Sequence, residues 1–488
     1  MPKSWSGSVD LHLDIDTSGG RRAGLERALR AAIVAGRLAP GTPLPSTRAL
    51  SAELGLSRGT VSAAYDQLIA EGHIIAVPGS GTRVADIAHR ADLAPVSAPS
   101  TWAGSATATA AGLSSGEVRR GESRRTPVHD LLPGRPDLST FPSAAWLRST
   151  RRVLAEAPSE VHALSDPRGR PELRAALAGY LGRARGVHAD PERIVVTSGY
   201  AQSLGLLASV LREAGTAAFA MEEPGHPFHR AIVRRAGLGV VPLPVDDMGA
   251  RPEPLDGVGA AVLTPAHQYP SGATLGPDRR RAFVTWARDA GGLLVEDDYD
   301  GEFRYDRQPV GALQGTAPVH VVYGGTTSKT LAPALRLGWL VLPAHLVEPF
   351  AEAKRLADAH TQSLGQLVLA DLIGTHAYDR HVRASRLRYR RRRDLLVRTL
   401  RARVPQVRVL GIAAGLHALV LLPDGGPGED EVMRRAAAHD LALMPLGGHW
   451  HHPAGRPQGF VVGYSTPLGA AYPAALDALC AVLTTRPA

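Results

Sequence analysis

The sequence predicts a small domain of three helices and a β-hairpin, a flexible linker, and a large α/β domain whose mostly parallel sheet has helices on both faces. Three observations lead there. Residues 11–86 carry short helical periodicities cut by turn signals, residues 87–128 are dominated by Ala, Ser, Thr, Gly and Pro, and residues 129–488 alternate apolar strand-like runs with helical stretches. At 488 residues the chain has room for roughly two to four domains and a large core.

Composition narrows the class further. The single cysteine, Cys480, excludes an internal disulfide and a thiolate metal cluster, and fits a reducing compartment. No stretch reaches the ~18 apolar residues of a membrane-spanning helix, and Met1 to Asp10 lack the apolar core of a signal peptide. A cytoplasmic protein with no membrane partner is expected. The 55 Lys+Arg against 46 Asp+Glu leave a net charge of +9, which makes nucleic acid a candidate partner. Lysine occurs only at Lys3, Lys329 and Lys354. A lysine surviving such a bias toward arginine points to amine chemistry.

In the first domain, Leu25, Ala28, Leu29, Ala32 and Ile33 share one face of a helix that ends at Gly36. Ser46 caps a short helix, Thr47 to Leu54. Gly55 ends it, and Ser57 caps a third helix, Arg58 to Glu71, with Val61, Ala64, Tyr65 and Leu68 as its buried stripe. After Gly72, two short strands flank Pro78-Gly79-Ser80-Gly81 as a hairpin. This is the outline of a helix-turn-helix with a wing. It sets Arg48 at the start of the second helix, Ser57, Arg58 and Thr60 at the start of the third, and Gly81 at the wing, positions suited to bases and phosphates of DNA. Met1 to Arg90 hold ten Lys+Arg and eight Asp+Glu, so binding rests on placement rather than on bulk charge. The run LPSTRALSAELGLSRGTVSAAYDQLIAEG followed by PGSGTRV resembles the winged helix-turn-helix of the GntR superfamily of bacterial repressors. The linker, about 40 residues with a typical span of roughly 35 Å, serves as a spacer or lets this domain reach another subunit.

Strands of the large domain are read at 194–197, 217–222, 260–265, 292–297, 319–324 and 337–343. Ligand chemistry in such a sheet gathers at the strands' carboxyl ends. The first of these strands leads through Ser198-Gly199-Tyr200 into a helix whose free amides suit a phosphate. The fourth ends in Glu296, Asp297, Asp298, Tyr299 and Asp300, which suit a metal as well as a pyridinium nitrogen. The fifth leads to Thr326, Ser328, Lys329 and Arg336: an amine that forms an imine with an aldehyde, and hydroxyls and a guanidinium for phosphate. Aldehyde, phosphate and pyridine nitrogen together describe pyridoxal 5'-phosphate. A metal explains Asp297 but leaves Lys329 without a role.

TPAHQYPSGATLGPDRRRAFVTWAR, VEDDYDGEFRYD and GTTSKTLAPALRLGWLVLP closely resemble the MocR/GabR-type regulators, which join a GntR-like winged helix to a fold-type I aminotransferase-like domain with a smaller C-terminal subdomain. The resemblance implies Lys329 as the Schiff-base lysine, Asp297 as partner of the pyridine nitrogen and Tyr299 as donor to the ring hydroxyl. It implies Arg336, Thr326, Ser328 and the Ser198-Gly199-Tyr200 turn for the phosphate, and His226 in MEEPGHPFHR as the ring-stacking residue, sensitive to pH where relatives carry tyrosine. It further implies operator DNA as partner, an amine effector or pyridoxal phosphate itself as signal, and a head-to-tail homodimer with each winged helix on the other subunit.

Two departures point to a receptor rather than a turnover enzyme. Gln268-Tyr269-Pro270-Ser271-Gly272 lacks the asparagine that aminotransferases carry before Pro-Thr-Gly. Phe460-Val461-Val462-Gly463-Tyr464 lacks their arginine for the substrate carboxylate, the nearest being Arg456. The alternative is an active pyridoxal-phosphate-dependent aminotransferase with a regulatory appendage. His449, His451 and His452 are expected in a solvated loop, with pocket lining or metal binding as alternatives, and the arginine-rich run 380–404 as a solvated helix, with a second DNA contact as alternative.

Overall fold

The computed structural model describes residues 20–35, 37–77, 81–85, 127–253, 255–305 and 310–484. Apart from Pro127 and Val128, the predicted linker lies outside the described residues, as do Gly36 and the hairpin tip 78–80.

The N-terminal domain consists of α1 (Arg21–Val34), α2 (Thr47–Glu53), α3 (Arg58–Glu71) and the antiparallel pair β1 (Ile74–Val77) and β2 (Gly81–Val84). Its core is the expected stripe: Leu25, Leu29, Ala32 and Ile33 of α1 meet Leu50, Val61, Ala64, Tyr65 and Leu68. Both predicted caps form. Ser46 Oγ accepts from the Ala49 amide and Ser57 Oγ from the Thr60 amide, each at 3.1 Å, satisfying amides that a helix start leaves free.

The remaining chain runs β3 (His129–Asp130), α4 (Ser143–Glu156), α5 (Pro171–Arg185), β4 (Ile194–Thr197), α6 (Tyr200–Glu213), β5 (Ala218–Glu223), α7 (Pro227–Arg235), β6 (Gly239–Asp246), β7 (Gly249–Ala250), β8 (Ala260–Leu263), α8 (Pro277–Asp289), β9 (Leu293–Asp297), β10 (Val321–Thr326), β11 (Gly338–Val341) and α9 (Ala344–Asp358). Strands β4 to β11 form one sheet in the order β4-β11-β10-β9-β8-β5-β6-β7. The centre, β10 through β6, is parallel; β11 runs antiparallel to both its neighbours, and β7 to β6. Apolar cores lie on both faces, which is why the buried strands read as continuous apolar runs. Strand β6 was absent from the sequence reading, because the prolines of GVVPLPVD interrupt its pattern.

Beyond α10 (Ser363–Gly374) and α11 (Ala377–Arg403), the strands β12 (Arg408–Leu410), β13 (His417–Leu421), β15 (Met444–Pro445) and β16 (Gly459–Gly463) build a second, antiparallel sheet, with β14 (Leu441–Ala442) paired to β3, and helices α12 (Glu429–Ala438) and α13 (Tyr472–Thr484) covering it. Helix α11 exposes most of its arginines, Arg383, Arg390 and Arg391 among them, as expected of a solvated helix, with Arg392 as the exception. Arg392 is buried, binding Asp137 Oδ2 at 2.7 Å and the Ser465 carbonyl at 2.8 Å, and Arg386 donates to the Glu302 carbonyl.

The two domains meet where the C-terminal end of α3 packs on α8. Glu71 pairs with Arg30 at 2.8 Å, and the large domain receives this pair between two glycines. A Cβ on Gly186 would stand 3.2 Å from Arg30 Nη2, and one on Gly311 would stand 2.6 Å from Glu71 Cδ. Beneath Gly311 the buried Arg280 donates to the carbonyls of Gly311 and Leu275, each at 3.1 Å.

Candidate functional site

The carboxyl ends of β4, β5, β9 and β10 open onto a cavity of about 240 Å³. At its anion corner, Gly199 adopts φ 105°, ψ 167° just ahead of α6, and the Arg336 guanidinium packs directly over it: a Cβ on Gly199 would lie 2.9 Å from Nη2. Arg336 itself holds a left-handed backbone, φ 52°. Thr326 Oγ1 donates to Ser328 Oγ at 2.9 Å and accepts from the Ser328 amide at 3.1 Å. Hydroxyls, helix amides and a guanidinium thus converge on one corner. Tyr200 begins α6 on the cavity wall; its ring lies 5.0 Å from that of His229.

Lys329 enters from the loop after β10 and donates to the Gly134 carbonyl at 2.7 Å. Burial lowers its pKa, against the raising pull of Asp297 and Asp300, so its amine is closer to the neutral form that attacks a carbonyl. Asp297, the last residue of β9, is pushed well above the usual carboxylate range, first by burial, with Lys329 opposing. Its Oδ1 is buried without a hydrogen-bond partner. Its Oδ2 lies 3.8 Å from His229 Nδ1, a neighbour that sequence reasoning missed although it stands one helical turn after His226. Tyr299 reaches His267, donating to its carbonyl at 3.0 Å.

His226 stacks on His229 with centroids 4.3 Å apart and on Tyr269 at 5.2 Å. Burial first, then the charges of His229, His449 and Lys329, hold its pKa well below the ordinary value. That direction favours the neutral ring. Glu222, also missed, accepts from the Thr264 hydroxyl and amide and from Gln268 Nε2, and burial pushes it up to about 7. Gln268 serves the loop scaffold, donating to the Pro224 carbonyl and accepting from Ser271.

The histidine loop is exposed over 452–458, His452 included, as expected, but His449 and His451 turn inward. His449 is buried, with Nε2 3.2 Å from the Tyr269 hydroxyl, and His451 Nδ1 lies 2.8 Å from Glu223. Arg230 holds the loop by donating to the carbonyls of His449 and Gly448. Arg456 stays away from the cavity, 5.1 Å over the Trp450 ring. On the winged helix, Arg48, Ser57, Arg58 and Gly81 are exposed, and Thr60 Oγ1 lies 2.8 Å from Ser57 Oγ. Among the described residues no helix is long and apolar enough to cross a membrane.

A winged helix fused to an aminotransferase-like domain defines a DNA-binding transcription regulator. Residues 128–443 match the aminotransferase class I and II family and residues 22–84 the gntR family of bacterial regulatory proteins. The chain is 32% identical over 446 residues, 91% of each protein, to the HTH-type pyridoxine biosynthesis transcriptional regulator PdxR of Corynebacterium glutamicum. It is also 32% identical to the probable rhizopine catabolism regulatory protein MocR of Rhizobium meliloti, across 93% of this chain and 92% of that protein. A Pyrococcus horikoshii kynurenine aminotransferase shares the fold of the large domain, with a TM-score of 0.67 and 24% identity over 74% of this chain and 91% of that one. The chain belongs to the aminotransferase class I and II family and is a MocR/GabR-type transcriptional regulator.

Proposed function

We propose that this regulator binds pyridoxal phosphate covalently through Lys329 and responds to an amine effector or to pyridoxal phosphate itself. The observation that carries the reading is one cavity holding the Lys329 amine, the partnerless buried Oδ1 of Asp297 and the Arg336 guanidinium seated on Gly199. Each residue fits a part of the cofactor. Asp297 would take the ring nitrogen, an N–H donor that its orphaned oxygen lacks. Arg336, Thr326, Ser328 and the Ser198-Gly199-Tyr200 turn would hold the phosphate, Tyr299 would donate to the ring hydroxyl, and His226 would lie against the ring. The cofactor supplies an aldehyde that exchanges amines and a ring that acts as an electron sink.

Operator contacts are assigned to Arg48, Ser57, Arg58, Thr60 and Gly81, and the domains to 11–86 and 129–488 with 87–128 between them. In a head-to-tail homodimer the partner's winged helix would take the seat between Gly186 and Gly311 that the chain's own fills here. The output is a shift between arrangements of the winged helix on that seat. The chain would act as a receptor, because Phe460 to Tyr464 hold no arginine where an aminotransferase binds the substrate carboxylate. Steady-state turnover with amino and keto acids would overturn that point.

Borohydride reduction followed by peptide mass spectrometry tests the whole reading: the adduct is expected on Lys329 and absent from Lys329→Ala. Lys354 is ion-paired with Asp358 outside the cavity, so an adduct found there instead would refute the assignment.

A further inference from the structure

Behind Tyr299 lies a group that neither the sequence motifs nor the cofactor contacts account for. His267 and Asp300 are both fully buried, on the loops that follow β8 and β9. His267 Nδ1 is 2.8 Å from Asp300 Oδ2 and 3.1 Å from the Tyr299 hydroxyl, while Nε2 is 3.2 Å from the Gly411 carbonyl. A carbonyl oxygen only accepts, so Nε2 carries a proton; a carboxylate accepts as well, so Nδ1 carries one too. The Nδ1–H is directed at Asp300, the nearer acceptor, with the Tyr299 oxygen as its second acceptor at 3.1 Å, while the Tyr299 hydroxyl gives its own proton to the His267 carbonyl at 3.0 Å. With its oxygen facing this N–H, Tyr299 acts as a donor, and in the loaded protein the ring oxygen would take the proton that the His267 carbonyl accepts here.

His417 completes the cluster, its ligating atom within 4.8 Å of those of His267 and Asp300. That spacing would suit a metal ion, but both His267 nitrogens are already engaged by oxygen acceptors. Burial, then the neighbouring His267, holds His417 well below its ordinary pKa. The charged and titratable groups facing His267 are Asp300, Tyr299 and His417; Tyr299 faces Asp297 and Tyr269 besides.

Gly411 lies in the C-terminal subdomain, just beyond β12, and its neighbourhood is shaped around the His267 ring. A Cβ on Gly272 would lie 2.9 Å from His267 Nε2, and one on Gly415 would lie 2.6 Å from Asp300 Oδ2. The same segment is fastened to the residues after Tyr299: Tyr305 donates its amide to the Ala413 carbonyl at 3.0 Å and Gly415 its amide to the Phe303 carbonyl at 2.8 Å.

We propose that His267, oriented by Asp300, is the positioning residue for Tyr299: it fixes that hydroxyl as a donor toward the cofactor and ties its orientation to the C-terminal subdomain through Gly411. The inference rests on the cofactor reading above. Donation by Tyr299 stabilises negative charge on the ring oxygen. When Tyr299 turns away, that charge is balanced by keeping the proton on the nitrogen shared with Lys329, so the bound chromophore holds its proton to higher pH.

The test is a pH titration of the visible band in the full-length, cofactor-loaded protein. His267→Ala and Asp300→Asn should raise the midpoint by about half a pH unit or more, roughly threefold in proton affinity. His267→Asn, whose amide N–H replaces Nδ1–H, should recover most of the shift, whereas His267→Gln, reaching toward Gly411, should not. In a Tyr299→Phe background, His267→Ala should add nothing, because both act through one hydroxyl. An unchanged midpoint in Asp300→Asn and His267→Ala, or additive shifts with Tyr299→Phe, overturns the proposal. Should His267→Ala fail to retain cofactor, His267→Asn and Asp300→Asn decide the matter. A wild-type chain with neither band nor reducible adduct defeats the cofactor reading instead.

Discussion

Replacing Gly199 by alanine disturbs the anion corner in two separable ways. Its backbone, φ 105° and ψ 167°, lies in a region essentially reserved for glycine, where an L-residue costs roughly 1–3 kcal/mol. The added Cβ would also stand 2.9 Å from Nη2 and 3.1 Å from Cζ of Arg336, so the guanidinium must withdraw from the place where it meets a phosphate. Losing one charged hydrogen bond costs about 1.5–3 kcal/mol, which is roughly a 10- to 150-fold weaker affinity. The first effect is read in thermal melting of the protein without cofactor. The second is read by titrating pyridoxal phosphate and following absorbance, with phosphate-free pyridoxal as the control. Gly199→Ala should weaken the phosphorylated compound by that factor and leave pyridoxal within about twofold of wild type. Wild-type affinity for pyridoxal phosphate, or equal losses for both compounds, would refute the assignment of this corner to phosphate.

Arg58→Ala should weaken operator binding by about 1–3 kcal/mol if Arg58 reads a base, and Arg48→Ala should weaken it evenly across sequences and flatten the salt dependence if Arg48 holds phosphate; unchanged affinity for both moves the DNA face elsewhere. Amines without an α-carboxylate should shift the visible band at lower concentration than L-amino acids do, because Arg230 is engaged by two carbonyls and Arg456 lies over Trp450; the reverse order of potency rejects this. Burial raises the Glu71 pKa, but Arg30, His73 and Gln67 offset it and leave a net lowering below 4.5. The stability this pair contributes is therefore full above about pH 4.5 and lost as pH falls through the lowered value. Arg30→Met should cost roughly 3–5 kcal/mol at pH 7 by removing the ion-pair partner of Glu71, and the gap between variant and wild-type melting curves should narrow as pH falls below the ordinary carboxylate value; a constant gap contradicts it.

The winged helix was almost wholly legible in the sequence, because each of its elements is specified locally: Ser46 and Ser57 cap, Gly72 ends α3, and the apolar stripe follows the helical period. The strands of the large sheet were legible for a related reason, since burial on both faces leaves apolar runs. What sequence could not show was which side of a strand each residue serves. Glu296, Asp297 and Asp298 read as one acidic cluster, yet alternation along β9 divides them. Asp297 faces the cavity, whereas Glu296 accepts from the Leu313 and Gln314 amides and Asp298 pairs with Arg185 at 2.6 Å. The inward turn of His449 and His451 was not legible because it depends on Arg230 and Glu223, more than 200 positions away. Gly134 and His267 reach the site through contacts that leave no local periodicity.

Helix α3 carries Arg58 at one end and Glu71 at the other, so one rigid rod is both the element that would enter a DNA groove and the foot that stands on the large domain. Its 14 residues span about 21 Å at 1.5 Å per residue. A tilt of roughly 10° about the foot would swing the reading end by about 3–4 Å, close to the ~3.4 Å between successive base pairs. The foot meets the large domain through the Arg30–Glu71 pair seated between Gly186 and Gly311 rather than through an apolar plate, and both charges belong to the winged helix and move with it. The molecule would thus be geared like a lever: a small adjustment where Glu71 meets Gly311 would be delivered at the DNA as a change of one base-pair step.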